Sequence, residues 1–151
     1  MNKILIPVDC LGCSTKAIDE GIKMAKAFGS DIVLLHVVSI GFTFFEYNAN
    51  IPQKSILTII ENEKKRTQEM LDSYKENFKG LPGKVESVVL EGIAADEILK
   101  YIKTSDIDFV IIGSESEEPG IKTGLKSGFM GNVTRKVLHH SEKPVLIVRL
   151  A

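Results

Sequence analysis

The feature that most limits how this chain can fold is a regular alternation between short apolar runs rich in Ile and Val and longer stretches with apolar residues at helical spacing. Strand–helix–strand units produce that pattern, and such units build a parallel sheet covered by helices. Lys3 to Val8 reads as a buried strand, and Ser14 is placed to cap a helix carrying Ile18, Ile22 and Ala25 on one face and closing at Gly29. Asp31 to Val38 is nearly continuous in Ile, Val and Leu, as expected of a central strand with both faces covered. An aromatic segment follows from Ser39 to Gln53, with Phe42, Phe44, Phe45 and Tyr47. Helical spacing then resumes from Lys54 to Phe78 through Ile56, Ile60, Met70, Leu71 and Tyr74, with the mixed charges of Glu61 to Glu69 as its solvated face. Gly80, Pro82 and Gly83 turn the chain into a third strand, Lys84 to Leu90, whose alternation is weaker. A helix from Ile93 to Lys103 places Ala95, Ile98, Leu99 and Ile102 at core spacing, and a fourth strand, Asp108 to Ile112, stops at Gly113. A long loop runs to about Met130, a last helix spans Gly131 to His140, and Pro144 to Leu150 forms the final strand. Right-handed crossovers between these strands predict a doubly wound, five-stranded parallel sheet with helices on both faces.

Composition bounds what such a fold can do. At 151 residues and 44% hydrophobic, residues 1–151 are expected to form a single domain around one core. A net charge of −1, with no Lys- or Arg-rich face, gives little electrostatic support for nucleic acid as a partner. The apolar run after Met1 ends at Pro7 and Asp9, too short for a signal peptide or a membrane span, so a cytoplasmic location is expected.

Doubly wound sheets bind ligands outside the carboxyl ends of their strands, where neighbouring connections leave in opposite directions. If the first and fourth strands are neighbours, Asp9 and Gly113 face one crevice, joined by the strand ends near Val37 and Gly92. Gly131-Asn132-Val133-Thr134 opens the last helix, where free N–H groups and the helix dipole favour an anion such as phosphate. Two readings stay open: Asn132 or Thr134 caps the helix, or this turn holds phosphate. Asp9 likewise reads either as a turn or cap residue or as a ligand group. Neither a Walker A sequence nor Gly-x-Gly-x-x-Gly after the first strand is present.

Ile4-Leu5-Ile6-Pro7-Val8-Asp9, Leu34-Leu35-His36-Val37, Gly92-Ile93-Ala94, Ile111-Ile112-Gly113-Ser114, Gly131-Asn132-Val133-Thr134 and Lys143-Pro144-Val145-Leu146-Ile147-Val148 follow one another over nearly the whole chain. In order and spacing they resemble the successive blocks of universal stress proteins. The resemblance implies a Rossmann-like fold of the adenine nucleotide alpha hydrolase-like type, with ATP or AMP as ligand, accompanied by Mg or Mn. In the ATP-binding branch the phosphate motif reads G-x2-G-x9-G-[S/T]. Gly113 and Gly131 match its ends, Gly120 is the best candidate for its second glycine, and Asn132 stands where Ser or Thr is usual. The loop is longer and carries Glu115, Glu117 and Glu118, which repel phosphate unless they face solvent or share a cation; Lys122, Lys126 and Ser127 offer compensation. Carried over position by position, Pro7, Asp9 and Val37 border the adenosine. The backbone of Ile112 and Gly113 lies along ribose and phosphates, and Gly120, Gly131, Asn132, Val133 and Thr134 hold the phosphate groups. The resemblance also implies a homodimer through the apolar strand Val145 to Val148 and an unidentified protein partner.

Cys10-Leu11-Gly12-Cys13 is a CxxC ahead of a helix N-terminus, so a thiol switch is a third reading, while a zinc site would need further ligands. His36, His139 and His140 read as packed or dipole-complementing residues, and no nucleophile with base and orienter stands out. The expectation is a nucleotide-binding regulatory protein of the stress response, with at most slow ATP hydrolysis, in which nucleotide orders the Ser114 to Met130 loop. The alternative is a nucleotide-free dimeric interaction module.

Overall fold

A computed structural model describes residues 2–9, 14–39, 52–114 and 130–149. Cys10 and Cys13, the aromatic segment around Phe44, and Glu115 to Glu118 with Gly120 lie outside the described residues. Strands β1 (Lys3–Pro7), β2 (Asp31–Ser39), β3 (Val85–Gly92), β4 (Phe109–Gly113) and β5 (Val145–Val148) alternate with helices α1 (Thr15–Phe28), α2 (Gln53–Lys75), α3 (Ala94–Thr104) and α4 (Asn132–His140). A 3-10 turn, Glu76–Phe78, extends α2. The strands form one parallel sheet in the order β3-β2-β1-β4-β5. The doubly wound architecture predicted from the alternation is therefore the observed one, and β1 and β4 are neighbours at its centre. β3 is an edge strand, and its half-buried pattern explains why its alternation is weak in the sequence.

Odd and even positions of the inner strands go to opposite cores, as a pleat with a period of two requires. Ile4, Ile6, Val8, Ile32 and Leu34 pack under α1 and α2, against Ala17, Ile18, Ala25 and Leu71. Leu5, Val33, Leu35, Val37 and Ile112 pack under α3 and α4, against Ile98, Ile102 and Val137. At the opposite end of the sheet the Asp108 carboxylate accepts the N–H groups of Asn2 (2.9 Å) and Lys3 (3.0 Å). Those two donors hold its pKa below the usual carboxylate value and tie the start of β1 to the start of β4.

Two local expectations change and one holds. Ser14 stands at the N-cap of α1, but its hydroxyl makes no cap bond and turns back to Asp9 instead. Gly29 closes α1 as expected, in the left-handed region at φ 66°. Gly92 was read only as a strand end, yet at φ 146° it makes the corner from β3 into α3, and a Cβ there would stand 2.8 Å from Glu97 Cγ.

α2 is long and mostly solvated, and only Ile60, Thr67 and Leu71 of its 23 residues are buried. Its attachment thus depends heavily on Leu71, which is fully buried. Leu71→Ala is expected to cost about 2–5 kcal/mol, read as a lowered urea midpoint, by transfer loss plus the cavity left behind.

Candidate functional site

The switch point arises from a backbone detail. Along β1, Lys3 presents its carbonyl to Asp108 on the β4 side, while Val8 donates its N–H to Leu35 on the β2 side. Alternate residues face alternate neighbours, so Pro7, in phase with Lys3, faces β4. Proline has no N–H to give, and the β1–β4 ladder ends at Leu5 opposite Val110 while β4 runs on to Gly113. A cavity of about 120 Å³ opens there, far above the ~10–15 Å³ that one water needs. Its walls come from the ends of β1, β2 and β4 and from the first turns of α3 and α4.

Seven of the ten expected site residues line it: Pro7, Asp9, Val37, Ile112, Gly113, Val133 and Thr134. Gly131 and Asn132 sit on the same turn but outside the lining, and Gly120 is outside the described residues. Sequence reasoning missed Ser14, Ala94 and Ile98 as lining residues, and passed over His36 as a packed one. Ile98 carried only a core signal, because a helix residue that lines a crevice and one that fills a core have the same spacing. Ser14 had been assigned to α1.

Val37 contributes its peptide edge as well as its side chain. Leu35 turns its carbonyl toward β1, so Val37, two residues on, turns its N–H and C=O to the same side, beyond the last β1 partner. Asp9 is held from α1: its N–H donates to Ser14 Oγ at 2.8 Å, and the Ser14 hydroxyl donates to Asp9 Oδ1 at 2.9 Å. Nδ1 of His36 lies 2.6 Å from the Val8 carbonyl oxygen, so this nitrogen carries the proton and donates it.

The opening turn of α4 decides between cap and anion site in an unexpected way. The N-cap is Gly131 and no side chain caps the turn. Asn132 Oδ1 accepts from Arg135 Nη2 at 2.6 Å, and Thr134 Oγ1 donates to the Gly113 carbonyl at 2.7 Å. Both candidate capping groups are thus engaged elsewhere, which corrects the capping reading of Asn132 and Thr134. No acidic residue lies in this first turn, whereas α3 carries Asp96 and Glu97 in its own. The early N–H groups of α4, which no helix can satisfy internally, and its dipole therefore remain favourable to an anion. Lys136 of α4 bonds Asp96 of α3 at 2.6 Å and couples the two helices behind that turn.

The fold and the crevice define a doubly wound α/β protein with an open cavity at its topological switch point. The universal stress protein family model matches residues 1–149, and the chain belongs to that family. Universal stress protein YxiE of Bacillus subtilis is 31% identical over 98% of this chain and 99% of its own. The solved universal stress protein UspA from Lactobacillus plantarum shares the fold at a TM-score of 0.82 and 18% identity, over 98% of this chain and 97% of its own. Two further solved relatives carry nucleotide: an Archaeoglobus fulgidus universal stress protein in complex with dAMP and an Arabidopsis thaliana family protein with AMP bound. Their TM-scores are 0.60 and 0.65, at 17% and 15% identity, over 97% and 99% of this chain and 97% and 92% of theirs. No helix among the described residues is long and apolar enough to cross a membrane.

Thr134 is 3% exposed and its hydroxyl ties the start of α4 to the end of β4. Thr134→Val keeps the shape but leaves the Gly113 carbonyl without that donor. It is expected to lower stability by about 1–3 kcal/mol in urea unfolding.

Proposed function

We propose that this crevice binds an adenine nucleotide, AMP or ATP, and that the protein acts as a nucleotide-dependent regulator in the stress response, within a single domain. The observation that carries this reading is the first turn of α4, which reaches the crevice with neither a side-chain cap nor an acid. The phosphates would lie there, against Gly131, Asn132, Val133 and Thr134, with the backbone of Ile112 and Gly113 along the ribose. The outward peptide edge of Val37 offers a donor beside an acceptor, which matches the ring nitrogen and amine of adenine. Pro7, Val37, Ile98 and Ile112 supply apolar surface for the base, and Asp9 borders the adenosine. The nucleotides carried by two family structures support the same ligand class. No group of three or more His, Cys, Asp or Glu side chains gathers among the described residues, so Mg²⁺ or Mn²⁺ would be held mainly by the phosphates.

No catalytic residue is assigned. The segment between Ser114 and Met130, which contains Gly120, orders on the phosphates and alters a surface that a protein partner meets, in the cytoplasm. The homodimer forms through β5, an edge strand among the described residues, whose Val145 to Val148 are all half-buried and whose outer backbone row has no partner strand among them.

Isothermal titration of the parent with AMP and with ATP, with and without Mg²⁺, is expected to give saturable heat, and Gly131→Val to weaken binding at least tenfold. A parent that gives no heat with either nucleotide removes the nucleotide reading and leaves the dimeric interaction module. In size-exclusion chromatography with light scattering the parent is expected at twice the chain mass, and Ile147→Lys at the chain mass.

A further inference from the structure

Two side chains from different elements grip the corner at which β1 ends, and neither was expected to serve the site. His36 of β2 donates from Nδ1 to the Val8 carbonyl, and the Val8 N–H bonds Leu35, so the last peptide before Asp9 is pinned to β2. What remains free at Asp9 is its own backbone and its carboxylate, and Ser14 takes both. The Ser14 hydroxyl accepts the Asp9 N–H and donates to Oδ1, a reciprocal pair across five positions of chain. Both residues line the crevice; Ser14 is 6% exposed and Asp9 half-buried, so the Ser14 end of the pair is shielded from solvent. The helix itself does not require this hydroxyl, because it makes no cap bond to α1.

We propose that Ser14 is a positioning residue for ligand binding: it fixes the Asp9 carboxylate toward the crevice, with Oδ1 committed and Oδ2 directed at a hydrogen-bond donor of the nucleoside. This rests on the nucleotide reading of the crevice. A carboxylate free to rotate would lose side-chain entropy when it met a ligand, and an anchored one has lost it on folding. Ser14 therefore raises affinity through Asp9 without needing contact with the ligand.

A double-mutant cycle tests this, with AMP as the probe in isothermal titration of the full chain. Ser14→Ala is expected to weaken AMP binding about five- to tenfold in the parent background and by less than twofold when Asp9 is already Ala. Ser14→Thr, which keeps the hydroxyl, is expected to bind AMP at least threefold more tightly than the similarly shaped Ser14→Val; this pair also carries the test if Ser14→Ala does not fold. Equal losses from Ser14→Ala in both backgrounds would mean a general structural role and overturn the proposal. So would equal AMP affinities of the Thr and Val variants. A parent that binds neither AMP nor ATP overturns the nucleotide reading and this proposal together, whereas a binding parent with additive losses overturns only the role of Ser14.

Discussion

The geometry of this protein depends on one strand serving two halves of a sheet and stopping early on one side. β1 pairs with β2 through Pro7 but with β4 only at Ile4 and Leu5. Its middle residues Ile4, Leu5 and Ile6 are fully buried, so the strand cannot slip without exposing one core or the other. Pro7 then presents a ring where β4 would look for a donor. β1 ends at Pro7 while β4 continues to Gly113, and the gap between them becomes the crevice. A position fixed by sheet hydrogen bonding thus determines where ligand chemistry can occur, before any side chain in the site is considered.

Electrostatics at the crevice follow from which polar groups are already engaged. An exposed helix start usually recruits a nearby Ser, Thr, Asn or Asp to satisfy its amides. Here Asn132 engages Arg135 within its own helix and Thr134 ties α4 to β4. The first turn keeps its positive end available, while the neighbouring α3 offsets its own with Asp96 and Glu97. Two helix starts of similar construction therefore border one cavity with different charge character. The Asp96–Lys136 pair is half exposed and contributes little to stability; the buried Ile98, Ile102 and Val137 hold the two helices on the sheet.

Membership in the universal stress protein family is carried by the whole chain, and the fold follows with it. Asn132, where the resemblance to the family's phosphate motif would place Ser or Thr, is exposed and turns its Oδ1 to Arg135, which leaves its backbone N–H at the helix start rather than its side chain as the group facing outward.

The strands and helices were legible from residue order because each inner strand is an apolar run and each helix shows an apolar face. Gly29 and Gly131 were correctly read as the end of one helix and the entrance of another. The location of the crevice was legible too, since Asp9 and Gly113 end strands that a doubly wound order makes neighbours. What the order of residues could not show was the destination of side chains able to bond in more than one way. Ser14 has the same composition and spacing whether its hydroxyl caps α1 or holds Asp9, and Ile98 the same whether it fills a core or lines a cavity. Those choices rest on distances between elements far apart in the chain, which only the packed sheet and its helices define.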